Sequence, residues 1–195
     1  MTSPLRDMPS HFSIRTDPIA DPKAVVNAAH ARFMVLTSRL IRMEYAKDGR
    51  FEDRASQAIW FRRQPVPEYS VSRTGSVCEI VTDDLHLTYS DSPGGFSAQT
   101  LSITLRATGT VWKFGDIDPA NLGGTVRTLD GKNGAVPLPP GLMSRSGWSV
   151  IDDSATLVFD DRCWLVNRST GPNSTDLYFF GYGSDFQGCF RDFCA

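Results

Sequence analysis

Carboxylates are the first residues in this sequence that could do chemistry. Adjacent aspartates occur at Asp83-Asp84, Asp152-Asp153 and Asp160-Asp161, and two carboxyl groups facing each other across a bond are what acid–base cleavage of a glycosidic linkage requires. Each pair falls where a hairpin turn or a strand end is expected, and Asp is common in turns because its side chain bonds nearby backbone amides. The turn reading is preferred for all of them. A Ser-His-Asp relay finds no better support, since the histidines are His11, His30 and His86 and no GxSxG elbow accompanies them. His86 falls in an expected strand as an ordinary half-buried side chain.

GxGxxG and P-loop patterns are absent, so Asn121-Leu122-Gly123-Gly124-Thr125 is not read as a phosphate cradle. Gly181-Tyr182-Gly183 reads as close backbone packing at the end of an aromatic strand. The four cysteines, Cys78, Cys163, Cys189 and Cys194, are too few and too irregularly spaced for a disulfide scaffold, and no CxxC pair suggests zinc. Reduced thiols and no bound metal or cofactor are expected. Trp60, Trp112, Trp148 and Trp164 could stack on sugars, but in a sandwich of sheets most aromatics are core.

The elements that position these residues follow from pattern. With 195 residues and 41% hydrophobic content, one domain with one substantial core is expected. The net charge of -2, from 20 basic and 22 acidic residues without blocks, argues against nucleic-acid or membrane-surface partners. The first residues lack the apolar core of a secretory signal and no apolar run reaches spanning length, so a cytoplasmic location is expected. The glycosylation-type triplets Asn167-Arg168-Ser169 and Asn173-Ser174-Thr175 then read as chance.

Asp21 to Arg32 has helical propensity, with Pro22 at a first helical position and an alanine-rich run behind it, although its neighbours can draw it into extended structure or a single helical turn. Leu40 to Tyr45 alternates, Leu40, Arg42 and Glu44 on one side and Ile41, Met43 and Tyr45 on the other. Phe51 to Arg54 and Ile59 to Arg63 read as further short segments of the same kind. Val77 to Thr82, Leu85 to Tyr89, Leu101 to Arg106 and Thr110 to Phe114 are strands separated by polar turns, Gly147 to Ile151 and Ala155 to Phe159 are expected to pair across Asp152-Asp153-Ser154, and Cys163 to Val166 and Asp176 to Tyr182 follow. Ser184 to Phe193 places Phe186, Cys189, Phe190 and Phe193 at helical spacing. The fold class is all-β, an antiparallel β-sandwich with a short C-terminal helix. The Gly- and Pro-dense stretch from Asn121 to Asp153 is a long ordered loop, and such loops are often functional.

Four stretches in order, RFMVLTSRLIRMEYAKDGRFEDRAS, NLGGTVRTLDG, PLPPGLMSRSGWSVIDDS and DLYFFGYGSDFQGCFRDF, resemble the amino-terminal region of family 31 glycoside hydrolases, the α-glucosidase and α-xylosidase family. The resemblance spans nearly the whole chain. It implies a sandwich of the galactose-mutarotase type over residues 1–183 and, over 184–195, the start of a linker helix toward a catalytic (β/α)8 barrel. It also implies an α-linked glucoside or xyloside as substrate of the full enzyme and the barrel as partner. The family's nucleophile and acid lie in that barrel, so no residue of this chain takes a catalytic role. What the resemblance carries over is one loop residue, Asp130 in TLDG, which lies where relatives send an aspartate to the terminal sugar. Asp130-Gly131 also reads as a plain turn. The alternative function is a stand-alone carbohydrate-binding or interaction domain. On either reading the purified chain releases no glucose or xylose from aryl α-glycosides above buffer background; turnover that survives repurification and disappears when an aspartate of this chain is changed to asparagine would refute both.

Overall fold

The computed structural model describes residues 14–125, 128–171 and 173–195. Two five-stranded antiparallel sheets face each other. The first has the order β1 (Val25–Asn27), β2 (Ala31–Val35), β3 (Leu40–Tyr45), β12 (Thr175–Phe180), β9 (Ser149–Asp152). The second is a meander of β4 (Tyr69–Thr74), β5 (Val77–Thr82), β6 (Leu85–Ser90), β7 (Leu101–Leu105) and β8 (Val111–Lys113). A separate hairpin joins β10 (Val158–Phe159) to β11 (Leu165–Val166), and helix α1 (Phe186–Cys194) closes the chain.

Alternation decides the core. Ile41 and Met43 of β3 and Leu177 and Phe179 of β12 point between the sheets, where they meet Ile80, Leu87, Tyr89 and Ile103 from the meander. Each such side chain contributes about 1.5–3 kcal/mol on burial. Trp112 stands 5.2 Å from Phe179, and Trp148 lies nearly parallel to the same ring. These two tryptophans are core, as expected for most of them, whereas Trp60 and Trp164 remain partly in solvent at 38% and 37%.

One sequence alternative is decided and two expectations fail, each for a tertiary reason. The alanine-rich segment makes only a 3-10 turn over Pro22–Ala24, capped by the Asp21 carboxylate on Lys23 N–H, before it becomes β1 and β2. Val26 and Phe33 pair across those strands and both enter the core, so burial outweighs helix propensity. Phe51 to Arg54 and Ile59 to Arg63 form no strands: the Glu52 carbonyl accepts from Arg42 and the Arg54 carbonyl from Arg62. Finally, β9 does not pair with the segment that follows it. Asp153 N–H continues the ladder to the Asp176 carbonyl of β12, and Val158–Phe159 pairs with β11 instead.

The first sheet is buried on its outer face too, and that face is divided. One end is apolar, with Leu40, Phe180 and Tyr182 covered by Cys189 and Phe193 of α1. The other end is charged. Glu44 and Asp176 lie directly opposite each other in the β3–β12 register, a repulsive placement. Arg42 resolves it: Nε and Nη2 donate to the two Asp176 oxygens at 2.8 and 2.7 Å, and Nη2 lies 3.0 Å from Glu44 Oε1. Arg32 donates to Glu44 Oε2 at 2.7 Å, while Arg168 bridges Asp176 at 2.7 Å and Asp153 at 2.6 Å. Arg62 donates to the Tyr178 hydroxyl at 2.6 Å from above. Arg42, Arg62 and Asp153 have no exposed surface.

Burial alone would raise the Asp176 pKa, but the Arg42 charge and its hydrogen bonds, helped by Arg168, outweigh it and bring the group to about 2. Burial raises Glu44 and Asp153, with Arg42 and Arg168 respectively offsetting part of the effect. An unfolded Asp titrates at about 3.9, so the Asp176 contribution to stability is present above that value and lost as pH falls through about 2. Glu44 and Asp153 act the other way, because the folded chain protonates them more readily than the unfolded chain. Asp176→Asn is expected to cost about 3–5 kcal/mol in urea unfolding at pH 7, since it strands two buried guanidinium groups. The gap from the parent should narrow as pH falls from about 4 to about 2; a gap that stays constant over that range would contradict this account.

Candidate functional site

The loop between β8 and β9 is a projecting finger whose two legs are laced together at the root. Arg145 N–H donates to Ala120 O, Leu122 N–H to Met143 O and Gly124 N–H to Pro139 O, at 3.0, 3.0 and 2.7 Å. Asn121 is the clasp: its Oδ1 accepts from Gly123 and Gly141 N–H at 2.9 and 2.7 Å, and its amide donates to Gly141 O at 3.1 Å. The legs run so close that a Cβ on Gly141 would overlap the Gly123 carbonyl. Beneath the clasp, the Asp118 carboxylate accepts from Ala120 N–H and the Ser146 hydroxyl. Burial would raise its pKa, but the Ser144 and Ser146 hydroxyls and the Ala120 N–H hold it below the usual range.

Asp130 occupies the tip. Lys132 N–H donates to Leu129 O across an Asp130-Gly131 turn in which Gly131 has φ +69, and Asp130 N–H donates to Thr128 Oγ1. Asp130 and Gly131 thus form a turn, and the turn leaves Asp130 exposed. Val126 and Arg127 lie outside the described residues. Leu122, Leu129 and Leu138 are all exposed along the finger.

The finger root and the terminal helix share one packing site. Leu142 O accepts from Ser149 Oγ at 2.5 Å and from Cys189 Sγ of α1 at 3.7 Å, and Gly183 N–H donates to Gly147 O. Asp185 caps α1 by accepting Gly188 N–H at 2.9 Å, Tyr182 donates to Asp192 at 2.6 Å, and Arg39 joins Asp185 at 2.8 Å while lying over the Tyr182 ring. The helix is folded back, with Phe190 exposed.

The aspartate pairs are not brought together. Asp152 accepts from Ser154 N–H and Asp160 from Arg162 and Trp164 N–H, which are turn roles, while Asp84 in the β5–β6 turn accepts from the Ser38 hydroxyl across the sandwich. Asp153 is the exception, and sequence reasoning missed it, because a second aspartate in a turn carries no sign of burial. His86 pairs with Glu79 on the half-exposed meander surface, His30 with Asp91, and His11 lies outside the described residues. Among the described residues no cluster of three or more His, Cys, Asp or Glu could hold a metal ion, and no helix is long and apolar enough to cross a membrane.

No protein-family model matches the chain, and no curated protein matches it. Its fold is a two-sheet antiparallel sandwich closed by a short helix. More particularly, it is similar to part of a Flavobacterium johnsoniae GH31 dextranase. A mutant of that enzyme complexed with isomaltotriose gives a TM-score of 0.53 at 15% identity, covering 87% of this chain and 26% of that one. The same dextranase complexed with glucose gives 0.50 at 15% identity, with the same coverage of 87% and 26%. The chain thus spans about a quarter of the length of these enzymes, the proportion of one N-terminal region, and the likeness is one of fold.

Gly141→Ala is expected to unlatch the finger without unfolding the sandwich. Hydrogen exchange should accelerate at Leu122, Gly124 and Arg145 while the β3 and β12 amides keep their protection; unchanged exchange at the root would show that the two legs do not depend on their close approach.

Proposed function

We propose that this chain is the non-catalytic N-terminal module of an α-glucosidase-like family 31 glycoside hydrolase. On this reading the N-terminal module runs over 1–183, 184–195 start a linker helix toward a (β/α)8 barrel, and the finger contributes Asp130 to the sugar pocket that the barrel completes. The observation that carries this reading is the exposed carboxylate at the tip of a finger rooted against α1. Cys189 of α1 packs at the finger root, and Leu122 and Leu138 give the finger an exposed apolar flank. A carboxylate accepting hydroxyl hydrogen bonds suits an α-linked glucoside or xyloside, since charged acceptors make the stronger bonds. A cytoplasmic setting is part of this reading.

A second reading, a stand-alone carbohydrate-binding or interaction domain, is supported by α1 itself: capped by Asp185 and packed through Cys189 and Phe193, it needs no further domain to hold it. Reading the nucleic acid past codon 195 for an in-frame barrel separates the two. Where a barrel follows, Asp130→Ala in the full enzyme should lower kcat/KM on aryl α-glucosides about 10- to 100-fold, the equivalent of a lost hydrogen bond to a charged group, with thermal stability unchanged. An unaltered kcat/KM would remove Asp130 from the pocket.

A further inference from the structure

Trp60 and Trp164 lie outside the core at 38% and 37% exposure, and Trp60 belongs to an organised surface. Its ring stands edge-on to Phe159 at 5.8 Å. Phe159 is directly opposite Leu165 in the β10–β11 register, so the two share one side of the hairpin, and Leu165 is 40% exposed. Phe159 is also one wall of a cavity of about 260 Å³ whose other walls include Thr16, Arg54, Asp160 and Asp161.

The polar groups around this cavity are held in place. Arg54 is gripped by both Glu52 oxygens at 2.8 Å and donates to Ser169 Oγ at 2.7 Å. Asp160 Oδ1 takes the N–H groups of Arg162 and Trp164, each at 2.9 Å, which fixes the turn that presents Asp161. Cys163 sits in that turn at φ +62, a conformation that a non-glycine residue adopts only where its surroundings hold it. The Arg54 guanidinium, already paired to Glu52, also faces the Asp160 and Asp161 carboxylates. An apolar ring wall beside fixed acceptors and donors suits a ligand that is apolar on one face and rich in hydroxyls at its edge.

We propose that this cavity is a binding subsite for a pyranose ring, with Phe159, braced from behind by Trp60, as its apolar wall and Asp160 and Asp161 accepting its hydroxyls. The choice of a sugar rests on the carbohydrate reading above. The position of the subsite does not, and it shares no lining residue with the finger.

The test is titration of the full chain with isomaltotriose, followed by calorimetry and tryptophan fluorescence, with circular dichroism to verify the fold of each variant. Saturable binding is expected, weakened about tenfold by Trp60→Ala and by Asp161→Asn, the latter a surface change that preserves shape. Lys113→Ala, an exposed change on β8 away from both the cavity and the finger tip, should leave it unaltered. Absence of saturable binding by the correctly folded chain overturns the subsite, as does binding indifferent to both cavity variants. A lysine-rich peptide that binds and is lost in Asp161→Asn, where isomaltotriose does not bind, also overturns it by making the site cationic in preference. None of these outcomes bears on kcat/KM of an Asp130 variant in a longer enzyme, so the subsite and the finger stand or fall separately.

Discussion

The bidentate pair between Arg42 and Asp176 is the contact on which the first sheet depends. It joins strands 134 residues apart in the chain, β3 near the beginning and β12 near the end. A one-residue slip of β12 would turn Asp176 and Tyr178 into the core and Leu177 and Phe179 out of it, because strand side chains alternate. The ion pair makes that slip costly twice over, since it would bury an unpaired carboxylate and strand a guanidinium with no exposed surface. Buried ion pairs add little net stability compared with apolar replacements. Here the pair specifies which of two near-equivalent registers the sheet adopts.

The network also explains how one sheet comes to be covered on both sides. The outer face would be an ordinary solvent face from its Arg42 and Glu44, yet Glu52 and Arg54 lend their backbone carbonyls to the arginines and so roof it. Irregular chain is thereby turned into a lid with the Glu52 and Arg54 carbonyls satisfied. The apolar half of the face is closed differently, by a nine-residue helix too short to be stable alone, which gains its order from Cys189, Phe193 and the Asp185 cap.

Much of this was legible in the sequence wherever the information is local. Leu40 to Tyr45 divides into its two faces by alternation alone, the meander from Tyr69 to Lys113 follows from short strands between polar turns, and Asp185 before an amphipathic run marks α1. What stayed hidden is non-local. Nothing within Ala155 to Phe159 says that β9 prefers β12, because that choice is made by Asp153 and Ser154 reaching Arg168 and Asp176. The charge of Arg42 and Glu44 looks like exposure until the partners arrive from far along the chain. At the finger, the Gly and Pro content announced a loop and Asp130-Gly131 announced a turn, but the clasp by Asn121 depends on Gly141 passing beside it twenty residues later.

The Leu142 carbonyl, shared by Ser149 and Cys189, ties the finger to the helix mechanically. Leu142 also packs into the same cluster as Phe180 and Tyr182, so the finger root, the end of β12 and the buried side of α1 behave as one joint. Any repacking of α1 therefore has to be accommodated at the two-legged root, where the clasp at Asn121 leaves the strands of the finger little room to part.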